Sequence, residues 1–221
     1  MITERRTFPG TTGQAVVRLL QVLMGIMFAL GLVYGNSGVA VNAGVGLLVT
    51  FLPALLRRRF DVTMSVGLVV WISVAMFLHA LGTLPLPGLE FLSPYKALDW
   101  WDHMTHALSS SLVAGAAYAV IRAFQVHSEH IELPPLFTFA YLLMFVMAFG
   151  VIWELIEFYI GVVSTLLGLT EVLTQYGLDD TILDLVYNSI GGLIVAVLGT
   201  AHLTDISDQL AARLGGDSTN R

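Results

Sequence analysis

Six apolar stretches of about 20 residues divide this chain. Each is long enough, at about 1.5 Å per helical residue, to cross a hydrocarbon core of about 30 Å. They lie near Ala15–Tyr34, Val39–Leu56, Val62–Leu81, Trp101–Ala123, Leu136–Ile160 and Thr181–His202. A backbone in lipid has to satisfy its own N–H and C=O groups, and a single segment does so only as a helix. The expected fold class is therefore all-α: a polytopic membrane helix bundle of about six transmembrane helices, forming one domain over 15–203. Residues 1–14 and 204–221 are expected as flanking cytoplasmic segments. Composition agrees, because only 12% of the 221 residues are charged, whereas an ordinary soluble domain carries about 25%. The first run is too long for a cleavable signal peptide, and further spans follow it in place of a small-residue cleavage site.

The basic residues predict the orientation, since Lys and Arg flanking short loops are retained in the cytoplasm. Arg5, Arg6, Arg18, Arg57, Arg58, Arg59, Arg122, Arg213 and Arg221 all fall on one side of a six-span topology, and only Lys96 falls on the other. Both termini are thus expected inside, in a multi-pass protein of the cell (plasma or inner) membrane. A net charge of −6 with locally basic inner loops fits anionic lipid headgroups and excludes a nucleic-acid binder. Membrane lipids are the expected partners; oligomeric state is not encoded in any motif. The lack of cysteine excludes disulfides, thiolate metal sites and Cys nucleophiles.

Three connections differ in character. Gly82–Lys96 holds Pro85, Pro87 and Pro94 and is expected outside, with Leu89, Phe91 and Leu92 against the membrane surface. Val126–Pro135 reads as a polar inner hairpin. Gly161–Leu178 is apolar but interrupted, and is expected as a re-entrant or interfacial segment. Gly31 and Gly35 form a small-xxx-small pair suited to packing within the chain.

Polar residues at membrane depth carry the functional reading. On a helix, Asp99, His103, Ala107, Ser111 and Gly115 share one stripe, and Asp102, His106 and Ser110 share the next. Small residues mark a helix-facing side, so the Asp and His residues on that face are expected to look inward. The fifth run carries Glu154 and Glu157 on one face near its outer end. The sixth places Asp180, Asp184, Asn188 and Gly192 on one stripe. An unpaired carboxylate near the bilayer centre costs roughly 2.5–3.5 kcal/mol on insertion scales. The three helices are therefore expected to bring these groups together in an internal, outward-open cavity, where a cation or shared protons compensate neighbouring carboxylates. Asp179 reads as a helix cap, Trp100 and Trp101 as an interfacial aromatic belt, and His79 as an isolated residue to check for proximity to the cluster.

The order Asp102-x-x-x-His106, then Glu154 and Glu157, then Asp180, Asp184, Asn188, Gly191 and Gly192 is similar to the YjdF-like integral membrane family and, more distantly, to VanZ-like proteins. The resemblance covers about half the chain, from the fourth run onward. It implies a shared polytopic fold without a settled activity, VanZ-like members being associated with glycopeptide-antibiotic resistance.

Carboxylates, imidazoles and an amide suit a divalent metal such as Zn, Mn, Mg or Fe. The leading expectation is a metal-dependent hydrolase or transferase acting on a lipid or lipid-linked substrate. In it His106, Glu154, Glu157 and Asp184 are metal ligands, Asp102 and His106 are the catalytic pair, and Asp99, His103, Asp180 and Asn188 are further site candidates. Two other classes stay open: a non-catalytic lipid-binding or assembly protein, and an ion- or proton-coupled transporter, against which stands the lack of matching acids in the inner halves of the spans.

Overall fold

Among the described residues of the computed structural model, the regular elements are α-helices: α1 (Gly10–Val33), α2 (Ser37–Thr50), α3 (Leu52–Phe60), α4 (Val66–Gly82), α5 (Pro94–Ala97), α6 (Asp99–His127), α7 (Pro135–Leu167) and α8 (Leu178–Leu198). The described residues are 10–86, 88, 92–127, 133–169, 172, 173 and 175–198. The chain ends, Leu89, Phe91 and the centre of the 126–135 hairpin lie outside them. Among the described residues, five stretches are long and apolar enough to cross a membrane: Thr12–Val33, Ser37–Phe60, Asp99–Gln125, Pro135–Leu167 and Leu178–Val197. A shorter apolar helix, Val66–Gly82, accompanies them. The protein is a polytopic helical membrane protein.

Three boundaries differ from the sequence expectation. The second run is interrupted at Phe51, where the backbone N–H reaches Leu48 O (3.1 Å). Pro53 then has no N–H to continue the ladder. The helix of the third run, α4, begins only at Val66, with Ser65 Oγ accepting a bond from Leu68 N at 3.3 Å, so it is 17 residues long. The first seven residues of the segment expected to be re-entrant or interfacial, 161–167, continue α7, which runs 33 residues to Leu167. At about 1.5 Å per residue this helix is near 50 Å long, more than a perpendicular span requires, and it must tilt or project beyond the hydrocarbon. Gly168 ends it with a φ of 63°, while Leu169 N bonds Ser164 O at 2.9 Å. That left-handed cap is natural for glycine.

Described residues of Met1–Trp101 and Ile160–Leu173 form one compact unit, and those of Asp102–Tyr159 and Thr174–Arg221 another. In the first, α1, α2 and α4 pack around Met24, Met27, Val39, Ala43 and Ala80. Gly31 allows α1 to meet α2 closely: a Cβ there would lie 2.6 Å from Ala40 N. Gly35 does not pack as its partner. Its φ of 67° turns the chain, and Asn36 then caps α2 by accepting from Val39 N at 3.0 Å. His79 hydrogen-bonds the Tyr95 hydroxyl at 2.7 Å in this unit. Of the two tryptophans expected as an interfacial belt, Trp101 is buried and Trp100 is exposed.

The second unit has an inverted polarity. On α7, Leu155 and Phe158 are about half exposed at 51% and 49%, whereas Glu154 and Glu157 are buried at 4% and 8%. On α8, Ile182 and Val186 are exposed and Asp184 and Asn188 are buried. Carboxylates inside and aliphatic side chains outside make physical sense when lipid is the solvent.

Candidate metal centre

Glycine contacts set the register that assembles the site. Gly191 of α8 meets the Ala107 carbonyl and Ser110 of α6 so closely that a Cβ there would collide with both. Gly150 of α7 lies against Asn188, whose amide nitrogen would be 2.7 Å from a Cβ at that position. Ser189 Oγ lies 2.9 Å from Met147 Sδ, tying the same two helices. With these backbones pressed together, residues one and two turns toward the starts of α6 and α8 must face each other. His106 is about 10 Å along α6 and Asp184 about 9 Å along α8, at 1.5 Å per residue. The two sit at matching depth.

At that level His103 Nδ1 is 2.9 Å from Asp184 Oδ1. The ring of His103 stacks on Tyr187, with centroids 4.9 Å apart and planes 7° from parallel, which restricts its rotation. His106 Nε2 lies 3.5 Å from Asp102 Oδ1 and 3.9 Å from Asp184 Oδ2. On α7, Trp153 Nε1 donates to Glu157 Oε1 at 2.8 Å, an i, i+4 contact that holds the carboxylate. Thr181 and Gln175, hydrogen-bonded to each other at 2.9 Å, stand beside Glu154.

Three sets of donor atoms come together within 4.8 Å: Asp102, His106 and Asp184; His103, Asp180 and Asp184; and His106, Glu154 and Glu157. Ligands about 2.1 Å from an ion can be at most about 4.2 Å apart, so a shift of roughly half an ångström would bring each set into coordination range. One imidazole with two carboxylates suits Zn, Mn or Fe better than the all-oxygen preference of Mg or Ca. Both oxygens of Glu154 and Oδ2 of Asp184 are buried without a well-formed hydrogen bond among the described residues. Such groups ordinarily have partners. Like charges at these separations also repel by roughly 3–4 kcal/mol at an effective dielectric of about 20, a cost that a cation offsets.

The sequence candidates are therefore distributed unevenly. His103, His106, Asp102, Glu154, Glu157, Asp180 and Asp184 all contribute to these sets. Asn188 is buried against Gly150, one turn beyond Asp184. Asp99 is exposed at the start of α6 and joins none of the sets among the described residues. Asp179 and Asp180 both lie in the first turn of α8, and Asp180 Oδ2 accepts from Tyr176 N, in the preceding segment, at 3.0 Å. Trp153 and Tyr187 were not among the candidates. The available signal was their spacing, four residues before Glu157 and three after Asp184, on the inward face.

Residues 15–205 match the family described as Predicted membrane protein (DUF2238). The chain belongs to that family. It is also similar to an uncharacterized protein of Thermotoga maritima, with 26% identity over 174 residues that cover 79% of this chain and 83% of the relative. No solved structure matches it. Within this DUF2238 member, the matched span contains all three helices that supply the donor sets.

Proposed function

We propose that this protein is a membrane-embedded, metal-dependent hydrolase or transferase acting on the headgroup of a lipid or lipid-linked substrate. The observation that carries the reading is the His106, Glu154 and Glu157 set, with both Glu154 oxygens buried without a well-formed hydrogen bond among the described residues, inside a unit whose outer surface is largely apolar. In this reading His106, Glu154, Glu157 and Asp184 hold the ion. A bound divalent ion would acidify water and polarise a phosphoryl or acyl oxygen. Asp102, beside His106, would orient the imidazole or accept a proton. The resemblance to YjdF-like and VanZ-like proteins, the cell-membrane location and an outward-facing site belong to the same proposal.

The test is metal analysis of the detergent-purified protein, followed by measurement of phosphate or fatty-acid release from lipid vesicles. Retained Zn, Mn or Fe that falls in Glu154→Ala, together with release that depends on the ion, supports the proposal. A protein that takes up no divalent ion after loading overturns it. A metal-loaded protein inert toward phosphoester and acyl-ester lipids would make it a non-catalytic lipid-binding or assembly protein.

A further inference from the structure

Two of the three donor sets share no residue. His106, Glu154 and Glu157 make one; His103, Asp180 and Asp184 make the other; each supplies one imidazole and two carboxylates. Asp184 connects them. Its Oδ1 is 2.9 Å from His103 Nδ1, and its Oδ2 is 3.9 Å from His106 Nε2. The side chain is fully buried, and Oδ2 accepts no hydrogen bond among the described residues. One carboxylate thus offers an oxygen to each imidazole.

Charge leads to the same place. The sets contain five carboxylates, Asp102, Glu154, Glu157, Asp180 and Asp184, and two imidazoles. With the carboxylates ionised and the imidazoles neutral, one divalent ion leaves a formal charge of −3 in this cluster, where Asp184, Glu154 and Glu157 are buried and Asp180 is partly exposed, and two leave −1. Helical bundles that hold paired ions use the same kind of donors, two imidazoles with four or more carboxylates projecting inward.

Building on the metal reading above, we propose that the site is dinuclear. His106, Glu154 and Glu157 hold one ion, His103 and Asp180 hold the second, and Asp184 bridges them. An ion pair of this kind sits about 3.5–4 Å apart and can clamp both the attacking and the leaving oxygen of a phosphoryl group. That favours a lipid-linked phosphoester as the substrate class. Tyr187, stacked on His103, serves to position the second ion's imidazole.

The experiment is Mn²⁺ titration of the metal-stripped, full-length protein in detergent, with bound metal counted by elemental analysis and the spin state read by low-temperature electron paramagnetic resonance. The expected result is two Mn²⁺ per chain with an exchange-coupled spectrum. His103→Ala and His106→Ala should each retain one ion with an ordinary six-line signal, and Asp184→Asn should lose the coupling. Helicity and monodisperse elution report whether each variant folds, and His103→Gln replaces His103→Ala if the latter does not. One ion in the native protein, kept in His103→Ala and lost in His106→Ala, overturns the second site and leaves the proposed function standing. Two uncoupled ions overturn the bridge. No bound Mn²⁺ in the native protein overturns the dinuclear centre and counts equally against the mononuclear reading.

Discussion

His103 Nδ1 and Asp184 Oδ1 lie 2.9 Å apart although 81 residues separate them in the chain. A whole helix, α7, and both its connections intervene between them. That contact is the clearest sign that α6 and α8 were built as one face, and it can be broken from a distance.

Substituting Gly191 tests that dependence. A Cβ at Gly191 collides with the Ala107 carbonyl and Ser110, backbone and side chain that cannot both retreat. Gly191→Ala should cost about 1–3 kcal/mol through overpacking, seen as a lower midpoint of thermal unfolding in detergent. Gly25→Ala, where a Cβ would meet open space, should leave that midpoint unchanged or raise it. Equal effects at both positions would remove the glycine contact as the determinant of register.

Trp153 should tune metal affinity without supplying a ligand. Its indole N–H holds Glu157 Oε1 at 2.8 Å. Trp153→Phe keeps the ring volume and loses the donor, so affinity should fall about 10- to 100-fold with the stoichiometry preserved. Competition against a chromophoric chelator measures this. An unchanged affinity would place the Trp153 contact outside the site's function.

The His79–Tyr95 hydrogen bond, 2.7 Å long, is structural in this account. Tyr95→Phe should lower stability by about 0.5–1.5 kcal/mol while metal content stays at the native value. Loss of metal in this variant, with the protein still folded, would bring His79 into the functional account from which it is now left out.

Orientation can be read with single cysteines, because the native chain has none. Arg58 and Lys96 are both exposed, in α3 and α5. In intact cells an impermeant thiol reagent should label Lys96→Cys and spare Arg58→Cys, as the distribution of basic residues requires. The reverse pattern would turn the protein over and place the carboxylate cluster on the cytoplasmic side.

Much of the fold is written locally. Runs such as that around Leu136–Ile160 are helical wherever they sit in lipid, because no other state satisfies their backbone. The stripe of Ala107, Ser110 and Ser111 marks a close helix contact in the sequence alone, since only small side chains let helices meet. The spacing of Glu154 and Glu157 places both on one helix face in the same way. Helix ends were less legible. The interrupted character of 161–178 suggested a break, but Gly161 is accommodated inside α7 and the stop comes at Gly168. Both glycines are compatible with either state, and only the backbone around them chooses.

Sequence by itself determined that this chain is helical, that lipid is its solvent and that its acids and imidazoles share faces of three helices, because hydropathy, helical period and the cost of buried charge are all properties of local segments. Tertiary structure alone decided which donor meets which. Small rotations of α8 about its axis would leave every local signal intact and yet turn Asp184 away from His103. The close seats of Gly191 on Ala107 and of Gly150 on Asn188 fix that rotation, and such contacts depend on shape across the chain, which no stretch of it contains.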